Sequence, residues 1–288
     1  MEKRKVLLIG ACGTIAAVLL PALRERFDLK LIDIKNTDRQ GNAVEGVQIA
    51  DVLDPDRDNY RHHFSDIDAV IHCGFVAPSD RSDAEQNFWA EHANVQMAFN
   101  IYQVSLEEGV RRVVVASSNH AADYYERLIL DRKMDFVSPD MRALSDNYYG
   151  WAKETYEHLG FVFAAGSMNA IDGRPRPLEN VQIRIGGPRE TDLAACKLGD
   201  LVCMRRALAV YISQDDMSQL FIKSVEAGNI EDEFGVPFQI FYGISANSDA
   251  FWSIVNARNV IGYAPEENSE LRFAALIAEH IEAAGTLG

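Results

Sequence analysis

Residues 5–16, Lys5-Val-Leu-Leu-Ile-Gly10-Ala-Cys-Gly13-Thr-Ile-Ala16, decide the fold. The apolar run that ends at Ile9 reads as a strand buried on both faces, and residues 14–26 read as the helix that follows. Two glycines sit between them, where the chain turns tightly and the backbone must approach a ligand closely. The start of that helix offers unpaired N–H groups and the positive end of a helix dipole, which suits a pyrophosphate. Ala16 supplies a third small position for close packing of helix on strand. Gly10, Gly13, Thr14 and Ile15 are therefore the candidate phosphate cradle. The next strand, Leu29-Lys-Leu-Ile-Asp33, ends on a carboxylate 23 residues after Gly10. A carboxylate there accepts hydrogen bonds from ribose hydroxyls and repels a 2′-phosphate, so the expected dinucleotide is NAD rather than NADP.

Outward from this unit the pattern repeats. Val47-Gln-Ile-Ala50, Ala69-Val-Ile-His72 and Arg112-Val-Val-Val-Ala116 read as further strands, and residues 83–108 as a long helix. Strands alternating with helices imply right-handed crossovers and a parallel sheet covered on both faces, an α/β, doubly wound class. Beyond residue 120 a polar, irregular stretch precedes a helix at 146–163. The turn-rich Asp172-Gly-Arg-Pro-Arg-Pro177 then leads to the strand Val181-Gln-Ile-Arg-Ile185. Phe238-Gln-Ile-Phe-Tyr242 reads as one more strand. The expected organisation is a cofactor-binding domain over 1–187, its sheet completed by 236–246. Residues 188–235 and 247–288 are expected to form a small C-terminal substrate lobe over the carboxyl edge, where open α/β sheets bind ligands.

The 288 residues carry 43 acidic and 28 basic side chains, a net charge of −15. That balance argues against nucleic acid or an anionic membrane as the main partner, because both need clustered Lys and Arg. The longest apolar stretch, 15–23, is far short of a bilayer span and contains Pro21. Met1-Glu-Lys-Arg-Lys5 runs straight into the first strand, so no signal peptide is expected. Cys12, Cys73, Cys196 and Cys203 show no CxxC or regular spacing. Four buried thiols in a reducing cytoplasm are expected, without a disulfide framework or zinc site.

A second constellation is Tyr149-Gly-Trp-Ala-Lys153, on the helix that begins near residue 146. Positions i and i+4 share a helix face, so phenol and ammonium both point into the cleft. A fixed cation nearby favours the phenolate, which then takes a proton from a substrate hydroxyl while hydride leaves the same carbon. Tyr148 is five residues from Lys153 and faces elsewhere. Ser117-Ser118-Asn119-His120 follows a strand at the ligand-binding edge, where a serine hydroxyl can hold the reacting oxygen. Asp51-Val52 lies where an adenine would be, or is an ordinary acidic loop. Cys73-Gly74-Phe75 is expected to line the nicotinamide side of the cleft, Gly74 letting a cofactor pass close to backbone.

These residues together, Gly10-x-x-Gly13-x-x-Ala16, Asp33, Asn94-Val95, Ser118 and Tyr149-x-x-x-Lys153, make the chain similar to the extended short-chain dehydrogenase/reductase (NAD-dependent epimerase/dehydratase) family, whose cofactor domain is a Rossmann fold. Within it the chain resembles the uronate dehydrogenases, through Ala116-Ser-Ser-Asn-His120, Tyr149-Gly-Trp-Ala-Lys153, Arg184-Ile-Gly186, Ser213-Gln-Asp-Asp216, Gly243-Ile-Ser-Ala-Asn-Ser248 and Ile261-Gly-Tyr-Ala-Pro265. The resemblance implies an NAD-dependent oxidoreductase that oxidises a cyclic sugar acid at C1 to its lactone. It implies Ser118, Tyr149 and Lys153 as catalytic residues, Tyr149 and Lys153 also holding cofactor, and Phe75, Asn119 and His120 on the sugar. Arg206 falls where the resemblance implies a substrate-carboxylate arginine; it is otherwise a helix-surface arginine beside Arg205. The chain departs from the subgroup at Ala77 and Gly187, where serines hold the substrate, and in a longer 121–146 segment. A nucleotide-sugar epimerase or dehydratase that keeps its NAD, and a non-catalytic NAD sensor, are the alternatives. Only 135 residues follow Lys153, short for a lobe that also holds a nucleotide. The helices at 83–108 and 146–163 could pair two copies, as is common in the family.

Other features take plainer readings. Ser213 with Asp215-Asp216 is expected to be an N-cap and capping box, and His62-His63 a solvated loop. Tyr124-Tyr125, Phe163 and Phe251-Trp252 are expected to pack the lobe.

Overall fold

Strands and helices alternate along the chain as the apolar runs predict: β1 (Lys5–Ile9), α1 (Thr14–Arg26), β2 (Asp28–Asp33), β3 (Val47–Ile49), α2 (Asp58–Arg61), β4 (Ala69–His72), α3 (Ala84–Glu107), β5 (Arg112–Ser118), α4 (Glu126–Leu130), α5 (Tyr148–Ala165), β6 (Glu179–Ile185), α6 (Leu201–Val210), α7 (Gln214–Glu226), β7 (Phe238–Gly243), α8 (Val255–Ile261), α9 (Ser269–Arg272) and α10 (Ala274–Thr286). This computed structural model describes residues 3–286; Met1 and Glu2, the start of the N-terminal run read above, lie outside them. Among the described residues no helix is long and apolar enough to cross a membrane.

The seven strands form one parallel sheet in the order β3-β2-β1-β4-β5-β6-β7. Successive side chains of a strand point to opposite faces, and both faces are buried here. Val6 and Leu8 of β1 join a core with Ala16, Leu19, Leu23, Ile183, Leu220 and Phe221. Leu7 and Ile9 join another with Val70, Ile101, Tyr102 and Val113. The order reverses between β1 and β4, which opens a crevice at their carboxyl ends. Ile9 pairs with both Ile32 and His72, so Gly10, Asp33 and Cys73 emerge side by side at that crevice.

Several expectations are corrected. Residues 188–235 do not all stand apart from the sheet. Helix α7 packs against α1 and β5, and its Met217, Leu220, Phe221 and Val225 belong to the sheet's own core. Phe163 packs on Tyr102 and Phe99 beneath α3 rather than in the lobe. His63 is buried at 4% exposure beside Tyr60 and Phe64, so only His62 is solvated. Ser213 does cap α7, accepting from the Asp216 amide at 3.1 Å. The reciprocal arm of a capping box is absent, because the buried Asp216 carboxylate instead accepts from Ser245 Oγ and the amides of Glu266 and Glu267. Cys196 and Cys203 form a disulfide with Cα atoms 5.7 Å apart, contrary to the four-thiol expectation. The turn that ends at Asp200, the N-cap of α6, brings the two together without any short spacing motif. That bond removes the cysteine argument for a reducing compartment.

Candidate active site

The β1–α1 turn is shaped by glycine. Gly10 has φ +79°, and a Cβ there would lie 2.5 Å from the Gly74 amide nitrogen. The turn and the loop after β4 thus touch backbone to backbone. Gly13 is the N-cap of α1 and lends no side chain to the helix end. The helix start at Thr14 and Ile15 therefore has no side-chain cap for its free N–H groups. The Asp33 carboxylate is oriented by the amides of Cys12 at 2.9 Å and Lys35 at 3.3 Å. These features suit a dinucleotide: an uncapped helix start for its pyrophosphate and a fixed carboxylate for its ribose. Asp51, just past β3, is exposed and accepts from the Leu53 amide, while the Val52 carbonyl is held by Asn100.

On the opposite side of the crevice, four side chains converge. Asn147 caps α5 by accepting from the Gly150 amide at 2.9 Å, which starts the helix one residue before Tyr149. The Tyr149 ring meets Phe75 edge-on at 5.8 Å and His120 at 5.6 Å. Lys153 Nζ lies 5.1 Å from the Tyr149 ring centre and 5.8 Å from that of Phe75, and donates to the Ala116 carbonyl at 3.2 Å. The i,i+4 pair is therefore tied to the end of β5, where Ser118 and Asn119 are buried and the Ser118 hydroxyl accepts from the His120 amide. Gly150 permits this approach, since a Cβ there would lie 2.3 Å from the His120 carbonyl oxygen.

Three features support this arrangement, and the partners of Asn94, Glu157 and Glu126 are visible only in the structure. Asn94 of α3 accepts from the Val76 amide and donates to its carbonyl, pinning the loop that carries Phe75. Behind Tyr149 and Lys153, Glu157 accepts from Ser117 at 2.6 Å and bidentately from Arg184, which also donates to Tyr242. Burial opposes the Arg184 charge, but Glu157 and Tyr242 more than offset it and raise the guanidinium above its ordinary value. Stranding one member of such a pair costs about 3–5 kcal/mol, so the pair fixes α5 to β5 and β6. The third is Glu126, the first residue of α4. Its carboxylate accepts from Arg206 Nε at 2.7 Å and Nη2 at 3.3 Å, and from Asn119 Nδ2 at 3.4 Å. Arg206 thus reaches the site through Glu126. A buried Asn or Glu on a helix was the available sequence signal, but nothing local names its partner.

At Gly74 a Cβ would lie 2.9 Å from Met97 Sδ, at the end of a flexible side chain. Its amide donates to His72 Nδ1, which requires an unprotonated nitrogen. Burial, with the Lys153 charge nearby, pushes the His72 imidazole down to about 3. Burial pushes the Cys73 thiol up to about 12, leaving it an inert thiol. Ala77 lines a shallow depression of about 440 Å³ with Pro78, Asp83 and Trp89. Gly187 packs on α6, its amide donating to the Val210 carbonyl. Among the described residues no group of three or more His, Cys, Asp or Glu could hold a metal ion.

The family model for the NAD dependent epimerase/dehydratase family matches residues 6–178. The chain is 28% identical over 283 residues to a uronate dehydrogenase of Pseudomonas syringae pv. tomato, covering 97% of this chain and 88% of the relative. It is likewise 28% identical over 274 residues to an L-arabinose 1-dehydrogenase (NAD(P)(+)) of Haloferax volcanii, covering 92% and 97%. The solved uronate dehydrogenase from Agrobacterium tumefaciens superposes with a TM-score of 0.70 at 23% identity, over 96% of this chain and 90% of that one. At that identity the superposition speaks for the fold alone.

Proposed function

The chain belongs to the NAD dependent epimerase/dehydratase family and is an NAD-dependent dehydrogenase of the short-chain type, and on that premise we propose that it oxidises a small free sugar or sugar acid at C1 to the lactone. The observation that carries the reading is the convergence of Tyr149, Lys153, Phe75 and His120 beside the end of β5. Gly10, Gly13, Thr14 and Ile15 hold the pyrophosphate, Asp33 the adenosine ribose, and Cys73 and Gly74 flank the nicotinamide side, with Asp51 and Val52 toward the adenine. Bound NAD supplies the hydride acceptor. Tyr149, as phenolate, takes the C1 hydroxyl proton as C1 gives up its hydrogen with the bonding pair. Lys153 binds the nicotinamide ribose, and its ammonium stabilises the phenolate that accepts the proton. Ser118 holds the reacting oxygen, and Asn119, His120 and Phe75 surround the sugar.

A free sugar is favoured over a nucleotide-linked one by the names of the curated relatives. These are a uronate dehydrogenase and an L-arabinose 1-dehydrogenase, the second named for oxidation at position 1. We propose as well that two copies pair through α3 and α5, a reading supported by the exposed Trp89 and Tyr148 beside Phe88 and Trp151.

The test is a panel of uronates, neutral aldoses and nucleotide sugars with NAD, read as NADH absorbance. Stoichiometric NADH from a free sugar is expected, and Tyr149→Phe should lower kcat by about 10²- to 10⁴-fold with NAD binding unchanged. A converted nucleotide sugar without net NADH would support an epimerase or dehydratase instead. Undiminished turnover by Tyr149→Phe would remove the mechanism.

A further inference from the structure

We infer that Glu126 sets the substrate class of this site: by holding the Arg206 guanidinium it withdraws the cation a sugar carboxylate would need, so the pocket takes an uncharged aldose in preference to an aldohexuronate. This rests on the proposed oxidation at C1 and refines it.

Glu126 comes from the segment between β5 and α5, and its side chain is 12% exposed against 37% for Arg206. The carboxylate lies on the inner side of the pair and engages both Nε and Nη2 of the guanidinium. This fork-to-fork geometry is the one a substrate carboxylate would use, and it is already taken. The pair belongs to the reaction centre by a short polar path. Glu126 Oε1 accepts from Asn119 Nδ2 at 3.4 Å, and Asn119 Oδ1 accepts from the Ser118 hydroxyl at 3.5 Å. Arg205, the neighbouring cation, is engaged by Asp249 at 2.6 Å.

The same rim carries a second carboxylate. Asp123 Oδ2 lies 2.6 Å from His120 Nδ1, and its other oxygen, Oδ1, is buried without a hydrogen-bond partner. A buried carboxylate oxygen left in that state is costly unless a donor reaches it. A C6 hydroxyl can donate to it, whereas a C6 carboxylate, on a sugar with otherwise the same hydroxyls, only accepts. A uronate would have to displace Glu126 from Arg206, leaving two carboxylates to share one guanidinium.

The experiment compares sugars that differ only at C6, D-glucose with D-glucuronate and D-galactose with D-galacturonate, using the full chain and NAD. Wild type should show kcat/KM higher for the neutral member by about tenfold or more, the scale of one charge-assisted hydrogen bond. Glu126→Gln keeps the side-chain shape and an oxygen for Asn119 but releases Arg206 from its counter-charge. It should move the uronate-to-aldose ratio about tenfold toward the uronate, mainly through KM, with the NAD Kd unchanged. A wild type that prefers the uronate tenfold overturns the inference while leaving C1 oxidation standing. So does a folded Glu126→Gln protein with an unchanged ratio. If Glu126→Gln does not fold, the wild-type ratio alone decides. Absence of NADH with every free sugar overturns the proposed reaction, and this inference with it.

Discussion

The β1–α1 turn and the segment between β5 and α5 meet at the same edge of the sheet, but they are held by different forces. The turn is defined by backbone: Gly10 in the left-handed region against Gly74, Gly13 before an uncapped helix, and the Asp33 carboxylate on the Cys12 amide. The segment after β5 is defined by side chains from distant elements. Glu126 grips Arg206, Asp123 grips His120, Arg127 lies 3.5 Å from the Tyr124 ring centre, and Val137 bridges to Trp252. A surface of backbone N–H groups suits a constant ligand such as a dinucleotide. A rim of exchangeable side chains suits a variable one, and the choice of sugar can change there without disturbing NAD.

Two substitutions can break this contrast, and a third reads a part of the molecule outside both regions. The largest effect is expected from Gly10→Ala, which forces a Cβ into left-handed backbone and into the Gly74 peptide. It should cost about 2–4 kcal/mol of stability in a urea melt and weaken NAD binding equally for every sugar. A change in sugar preference with normal NAD binding would erase the division between the two regions. Asp33→Asn should raise the NAD KM by about 10- to 100-fold, with the uronate-to-aldose ratio unmoved, in steady-state assays at saturating sugar. The smallest effect is on acid stability. Burial, with the neighbouring His62 charge, pushes His63 from 6.5 down to about 4, so the unfolded chain binds its proton first. The contribution of His63 to stability is therefore full above about pH 6.5 and is lost as pH falls toward 4, by up to about 1.4 kcal/mol per pH unit. Comparing urea melts at pH 7 and 4.5, His63→Gln should lose less than wild type. An equal loss would assign the acid sensitivity elsewhere.

How much was readable follows the same line. Residues 5–33 declare strand, glycine turn, helix, strand and terminal carboxylate in one contiguous run, because each feature depends on neighbours a few residues away. Tyr149 and Lys153 declare themselves by helical spacing, although their meeting with Phe75 and His120 depends on Gly150 and on Asn94 pinning the loop after β4. Strand β5 runs two residues beyond its apolar run, since Ser117 and Ser118 are poor strand formers held there by pairing with Arg184 and Ile185 of β6. The place of helix α7 is not legible, because its apolar stripe states that it packs, not on what.

The sequence by itself determined a parallel α/β sheet, the crevice at which a dinucleotide binds, and a Tyr/Lys pair on one helix face, all through periodicities of two and 3.6 residues and glycine positions. Only the tertiary structure decided which polar groups meet across it. Glu126 and Arg206 are separated by 80 residues, Ser117 and Glu157 by 40, and Cys196 closes on Cys203 around a turn. Hydrophobic burial leaves a pattern along the chain because it depends on which face a residue occupies. A polar pair leaves none, because it depends on where two faces are brought together.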